Sequence, residues 1–393
     1  MFHYDRDLKP RKKSYYAFSK NYPGRRTGTK YAIGESRARH KRERNKNILF
    51  GVSLVVLFAV VFCVVFVALS LSKKPLEQGG ETVTVENGNY HAVYMTPDEL
   101  AGGIAFDLFR QQLEESGANA VLVDFKTADG NLVFPSTVQT AQDIGACTNA
   151  VQTAKDTVQT LQASGYAVIF RIYCFEDALA AAYLPGAAVT EADGKTVWLD
   201  DSAQNDGSGW LNPYSDTAKL YLLQIVDDAV SFGADVVLLD GVCFPSGRYL
   251  GRAVFAGEAQ STFSRNAVLQ DFIEQVKKVT GDVPLAVSMS LSAALSGDRT
   301  LYGGGIFDTA ADYAAVDFRR NNLPESFKMG DVTYRTDISQ EEYINVATSA
   351  LSARLEENYR TKGILPITDS ADDVSFLQNA GIDRYIRIPA ETP

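Results

Sequence analysis

The sequence predicts an α/β fold: a closed (β/α)8 TIM barrel, preceded by one transmembrane helix and a disordered basic tail. Three observations lead there. Between residues 91 and 389, eight short β-rich runs alternate with helical stretches, as expected of parallel βαβ units. Eight such units suit a closed barrel, and the open doubly wound alternative would normally show a glycine-rich first turn that is missing here. Ahead of them, "ILFGVSLVVLFAVVFCVVFVALSL", Ile48 to Leu71, runs 24 residues without a charge. As a helix it would extend roughly 36 Å, enough to cross a bilayer core with some tilt.

The amino-terminal elements follow from charge. Residues 1–46 hold 15 Lys/Arg against 4 Asp/Glu, a net of +11; the remainder holds 23 against 44, a net of −21. "RARHKRERNK" abuts the apolar run, whereas only Lys73 and Lys74 follow it closely. The positive-inside rule then places the amino terminus in the cytoplasm and the rest outside the cell. A cleaved signal peptide is the competing reading, on the small-residue pattern Ala68-Leu69-Ser70. The long apolar run and the residues before it favour an uncleaved anchor. The expected division is a disordered basic tail over 1–47, a span over 48–72, a linker over 73–89 with a short strand at 82–85, and a barrel over 90–393. The tail reads as a topogenic segment resting on anionic lipid. No motif in it supports nucleic-acid binding, although "KKSYYAFSKNYPGRR" would also suit recruitment of a cytoplasmic partner.

The barrel elements come next. Strands are expected at 91–96, 120–126, 167–175, 235–242, 284–291, 312–318, 363–368 and 384–389, with helices at 97–116, 148–164, 215–232, 261–280, 340–359 and 372–379. Glycines in "ESGANAVLVD", "ASGYAVIFR" and "SFGADVVLL" suit helix stops. A barrel gathers its chemistry at the carboxyl ends of its strands. That rule accounts for "VVLLDGVCFPS", an apolar strand delivering Asp240 to the mouth.

Histidine is nearly absent: His3 and His40 precede the span, and His91 starts the first strand, at the wrong end for catalysis. Ser-His-Asp chemistry and a His-rich metal site are thereby disfavoured, and no phosphate-binding loop is present. No cofactor is expected. Carboxylates must then move the protons, and they sit at the right places. The strand ends supply Asp124, Lys126 and Asp129; Arg171, Tyr173, Glu176 and Asp177; Asp240; Asp317 with Arg319; and Asp369. Two carboxyls across a sugar are the minimum for glycoside hydrolysis, and Trp210 and Tyr214 offer stacking platforms. Each residue also has a structural reading. Asp124 would pair with Lys126 or Arg171, Glu176 or Asp177 would cap the following helix, and Trp210 would close over the rim. The acidic barrel repels anionic polymers such as nucleic acid and is compatible with neutral or amino sugars.

From Tyr90 to about Pro389 the order of motifs resembles a family of bacterial glycoside-hydrolase-like proteins with an α-amylase-like barrel. The pieces are "NAVLVDFKTADGNLVFPS", "GYAVIFRIYCFEDALAAAYLP", "WLNPYS", "VVLLDGVCFPSGR" and "PLAVSMS". Asp124, Lys126, Gly130, Arg171, Ile172, Phe175, Asn212, Pro213 and Tyr214 match the family's motifs. Where the family reads Phe-Asp-Tyr-Val-Arg-Phe-Pro, this chain keeps Asp240 but has Gly241 and Cys243 for the Tyr and Arg. Its fifth strand carries Ser290 where an acid is usual. The resemblance implies Asp240 as nucleophile, with Glu176, Asp317 or Asp369 replacing the missing acid, and Asp124, Lys126, Arg171, Tyr173, Trp210, Asn212 and Tyr214 binding a cell-wall or environmental polysaccharide. A sugar-binding or scaffolding barrel without catalysis is the alternative; a metal-assisted deacetylase lacks the histidines. Cys174 and Cys243, at the ends of neighbouring strands, are close enough in such a barrel for a disulfide if their registers match. Two separate buried thiols are the other reading.

Overall fold

The computed structural model describes residues 88–296, 299–319, 326–329, 332–335, 338–356 and 363–389. The expected tail, span and most of the linker lie outside the described residues. Among the described residues no helix is long and apolar enough to cross a membrane.

The strands are β1 (His91–Met95), β2 (Ala120–Lys126), β3 (Ala167–Tyr173), β4 (Val236–Asp240), β5 (Leu285–Ser290) and β6 (Tyr313–Asp317), then β7 (Ser326–Met329), β8 (Val332–Arg335), β9 (Gly363–Ile364), β10 (Ile367–Thr368) and β11 (Tyr385–Arg387). β1 to β6 pair in sequence order, β11 pairs with β1 and β10, and β6 pairs with both β9 and β10. All of these pairings are parallel. The sheet therefore closes on itself with eight strand positions, the seventh divided into β9 and β10 around Leu365 and Pro366.

The helices are α1 (Pro97–Leu100), α2 (Gly103–Ser116), α3 (Gln139–Asp143), α4 (Ala154–Ala163), α5 (Ala178–Tyr183), α6 (Asp216–Phe232), α7 (Arg265–Thr280), α8 (Leu291–Ser296), α9 (Gln340–Leu355) and α10 (Ala371–Asn379). Serine and threonine hydroxyls accept backbone N–H groups at the starts of α1, α6, α7, α9 and α10, satisfying donors that a helix leaves unpaired. The first expected helix is broken into α1 and α2 at Gly102-Gly103. Its long second neighbour shortens to α4, because residues 148–153 form turns. The β7–β8 hairpin was not anticipated; it is an antiparallel excursion after β6.

Strand alternation produces two cores. Ala92, Ala120, Leu122, Ile169, Val236, Leu238, Ala286, Ala315, Ile367 and Ile386 fill the barrel interior. Val121, Val123, Phe170, Ile172, Val237, Leu239, Val287 and Val316 face the surrounding helices. In that outer layer Phe134 packs on Phe125 and Phe170, with ring centroids 4.9 Å apart in both cases, and on Phe232 at 5.5 Å. Phe134 is fully buried, so Phe134→Ala should lower unfolding free energy by about 3–5 kcal/mol, read from denaturant titration; a loss under about 1 kcal/mol would contradict this packing.

Candidate active site

Alternation also builds the mouth. Continuing the interior parity to the carboxyl ends gives Tyr94 on β1, Asp124 on β2, Arg171 and Tyr173 on β3, Asp240 on β4, Ser288 and Ser290 on β5, and Asp317 on β6. Register aligns them: Asp124 stands opposite Arg171, Tyr173 opposite Asp240, and Ser290 opposite Asp317. Polar side chains thus replace the apolar interior toward the end where the barrel opens.

Arg171 makes a bidentate pair with Asp124, Nη2 to Oδ2 at 3.0 Å, and Tyr94 donates its hydroxyl to the same carboxylate at 2.9 Å. The guanidinium lies between the Tyr94 and Tyr173 rings, 5.5 and 5.0 Å from their centroids. Burial opposes its charge, but the hydrogen bonds and charge of Asp124 outweigh this and raise its pKa. Arg319 makes a second bidentate pair with Asp317, at 3.0 and 2.8 Å, and that hydrogen bonding raises its pKa despite burial.

Asp240 forms no ion pair among the described residues. Its Oδ1 accepts the Gly241 N–H at 2.9 Å, and the Ser288 hydroxyl nearby also favours its ionised form. Burial raises its pKa, Arg171 and the two donors lower it, Asp317 raises it again, and the net direction is upward. Glu176 is half-buried beside it. Burial raises its pKa first, then the charges of Asp240 and Asp200, with Lys126 opposing. No hydrogen bond reaches the Glu176 carboxyl among the described residues.

Two local features bring these acids together. Gly241 adopts φ +61°, turning the chain sharply after Asp240, and a Cβ there would stand 3.3 Å from the Glu176 Cβ. The segment carrying Glu176 then crosses the tip of β4: Cys174 N donates to Asp240 O at 2.8 Å and Phe175 N to Gly241 O at 3.1 Å. On its other side Glu176 forms an isolated antiparallel bridge with Trp210.

The remaining expectations divide. Asp369 is half-buried just after β10, three strand positions from Asp240. Lys126, expected at the binding surface, is instead fully buried. The strand bulges between Asp124 and Lys126, setting Lys126 opposite Ile172 in the helix-facing layer. Trp210 is buried and donates Nε1 to Asp200 at 3.1 Å, so it closes the rim and is no open sugar platform. Asn212 is buried and pins loops, donating to Ala256 O at 2.9 Å and accepting the Tyr214 N–H at 3.1 Å. Tyr214 is half-buried, with its hydroxyl on Phe263 O at 3.3 Å. Ser290 caps α8 by accepting the Ala293 N–H at 3.1 Å. Tyr94 and Ser288 were not singled out in the sequence; period-two counting from the apolar interior would have found both. Among the described residues no group of three or more His, Cys, Asp and Glu side chains could hold a metal ion.

The suggested disulfide is corrected: Cys174 and Cys243 are separate thiols. With Tyr173 opposite Asp240, Cys174 aligns with Gly241, and Cys243 lies two residues farther along a chain that has already turned. Alkylation in denaturant without reductant should label both, and a cross-linked Cys174–Cys243 peptide in the mass spectrum would contradict this geometry.

A carboxyl whose folded pKa is raised stabilises the fold in its neutral form. That contribution is fully present below the unfolded value of about 3.9 and is lost as pH rises through the folded value. Asparagine in place of Asp240 keeps an acceptor for the Gly241 N–H without the charge. Asp240→Asn should therefore raise Tm relative to the parent at pH 7, with a smaller gain at pH 4. Calorimetry at the two pH values checks this, and a larger gain at pH 4 would contradict it.

Residues 92–297, just over half of the chain, match the profile of a family described as "Putative glycosyl hydrolase domain". Among solved structures, a hypothetical protein from Ruminiclostridium thermocellum is 23% identical, with 50% of this chain and 96% of that chain covered and a TM-score of 0.44. An exo-β-N-acetylglucosaminidase from Vibrio harveyi is 12% identical, with coverages of 72% and 41% and a TM-score of 0.46. An α-galactosidase from Thermus thermophilus is 10% identical, with coverages of 76% and 57% and a TM-score of 0.42. The chain spans less than two thirds of the length of either named enzyme, and at these TM-scores the likenesses carry no argument about activity. No curated protein matches the chain. By the extent of its profile match, and with a closed parallel barrel that opens on acidic strand ends, this chain belongs to the glycosyl hydrolase domain family so described.

Proposed function

We propose that the barrel hydrolyses glycosidic bonds of a cell-wall or environmental polysaccharide, with Asp240 and Glu176 as its two acids. One observation supports this most: two neighbouring carboxyls at the mouth, both of raised proton affinity, receive different support for their ionised forms. Asp240 lies within the field of Arg171 and accepts the Gly241 N–H, and the Ser288 hydroxyl nearby also favours its ionised form. Glu176 has no such donor, and three nearby acids raise its pKa further. Such a division is how two carboxyls become a base or nucleophile and an acid. Asp240 then acts as the ionised partner, and Glu176 protonates the departing sugar oxygen. Arg171 and Arg319, each fixed to its own aspartate, frame the mouth with Tyr94 and Tyr173. The 48–72 segment anchors the barrel outside the cell, with the basic tail in the cytoplasm.

A second reading, a sugar-binding or scaffolding barrel, is favoured by Ser290. A hydroxyl cannot supply the strand-five acid, and here its oxygen is occupied as a helix cap.

Leaving-group dependence separates the readings. Glu176→Gln should lose about 10²–10⁴-fold in rate on an unactivated oligosaccharide and far less on an aryl glycoside, whose leaving group needs little protonation. Asp240→Asn should lose turnover on both. Equal losses for Glu176→Gln on the two substrates would remove it from the acid role. Calorimetric binding of a polysaccharide by a parent protein that turns over no substrate would establish the second reading.

A further inference from the structure

Behind Glu176 lies an ion pair with no exposure to solvent. Lys126 Nζ stands 2.9 Å from Asp177 Oδ2, and both side chains are 0% exposed. Burying two charges is costly, and such a pair returns little net stability compared with apolar side chains of similar volume. Its location gives it a different value.

The same ammonium donates to Tyr173 O at 2.7 Å, at the last residue of β3. Asp177 in turn accepts the Ala180 N–H at 2.7 Å, starting α5. Lys126 therefore holds both ends of the short segment 173–177, and Glu176 lies within it. The fit is close on the far side too. Gly130 adopts φ +91°, and any Cβ there would overlap the Asp177 carboxylate. The groups that bear on Glu176 are Asp240 from β4, Asp200 from the loop before Trp210, Asp129 from the loop after β2, and Lys126 from the end of β2. Tyr173, on the same strand end, also senses its charge. Within that set Lys126 is the sole cation.

We propose that the Lys126–Asp177 pair is a positioning device for Glu176, clamping the turn that presents this carboxyl and fixing a positive charge behind it. The catalytic meaning rests on the glycosidase reading above, whereas the electrostatic coupling can be measured without a substrate. The pair works from behind the sheet and touches no sugar.

Carbon-detected NMR titration of the Glu176 carboxyl tests the coupling. In the double variant Lys126→Met/Asp177→Asn, the charges are removed together, and the introduced asparagine retains an acceptor for the Ala180 N–H. The Glu176 midpoint should move upward, corresponding to at least about threefold tighter proton binding. A folded double variant with an unchanged midpoint would overturn the proposal. The unmodified protein supplies an independent readout, since the Lys126 ¹⁵Nζ signal should inflect at the Glu176 midpoint; a flat profile would overturn the proposal even if the variant fails to fold. A moved midpoint in a protein whose parent hydrolyses nothing would instead defeat the glycosidase reading and leave the coupling intact.

Discussion

In a closed parallel barrel, each strand residue faces either a dry interior or the surrounding helices. The two faces alternate except where a strand bulges, and most of what this chain can do follows from that. Ala120, Leu122, Ile169, Val236, Leu238, Ala286 and Ala315 are all apolar on the inner parity, because nothing below the mouth could hydrate a polar group. Farther along the same parity come Asp124, Arg171, Tyr173, Asp240, Ser288 and Asp317. They step upward from strand to strand: Asp124 stands opposite Arg171, Tyr173 opposite Asp240, and Ser290 opposite Asp317. A slip of one residue in β4 would turn Asp240 toward the helices and Leu239 into the cleft.

The charges at this mouth are arranged so that attraction is used up locally. Both arginines bind an aspartate through two hydrogen bonds, geometry that a guanidinium satisfies in full. Neither pairs directly with Asp240, whose ionised form is supported by the Arg171 charge first and then by the Gly241 N–H and the Ser288 hydroxyl. Glu176 has Lys126 alone on that side. Burial raises the proton affinity of both acids, against different local support.

This arrangement was legible in the sequence to the extent that it obeys period two. The eight strand positions, the carboxyl-end placement of Asp240 and the pairing of Asp124 with Arg171 all follow from alternation and from the cost of lone buried charge. Lys126 was misplaced because a bulge adds one residue to β2 and reverses its face, and "VLVDFKTADG" gives no local sign of where the strand bulges. Trp210 and Asn212 were misplaced for a different reason: their partners, Asp200 and Ala256 O, come from excursions whose course depends on tertiary contacts. The thiols failed to meet because Gly241 turns the chain before Cys243 is reached.

That turn also bears on the missing strand-five acid. Ser290 is no replacement acid, because a serine hydroxyl is far too weak to protonate a departing sugar oxygen, and its oxygen accepts the Ala293 N–H at the start of α8. On the two-acid reading proposed above a second acid must come from elsewhere, and the loop after β3 approaches Asp240 most closely if the tip of β4 presents no side chain. Gly241 meets that condition: its φ of +61° disfavours a Cβ, and the space a Cβ would need lies against Glu176. The glycine after Asp240 and the close approach of Glu176 are thus two halves of one geometric arrangement. On the two-acid reading proposed above, the second carboxyl stands on the near wall of the mouth.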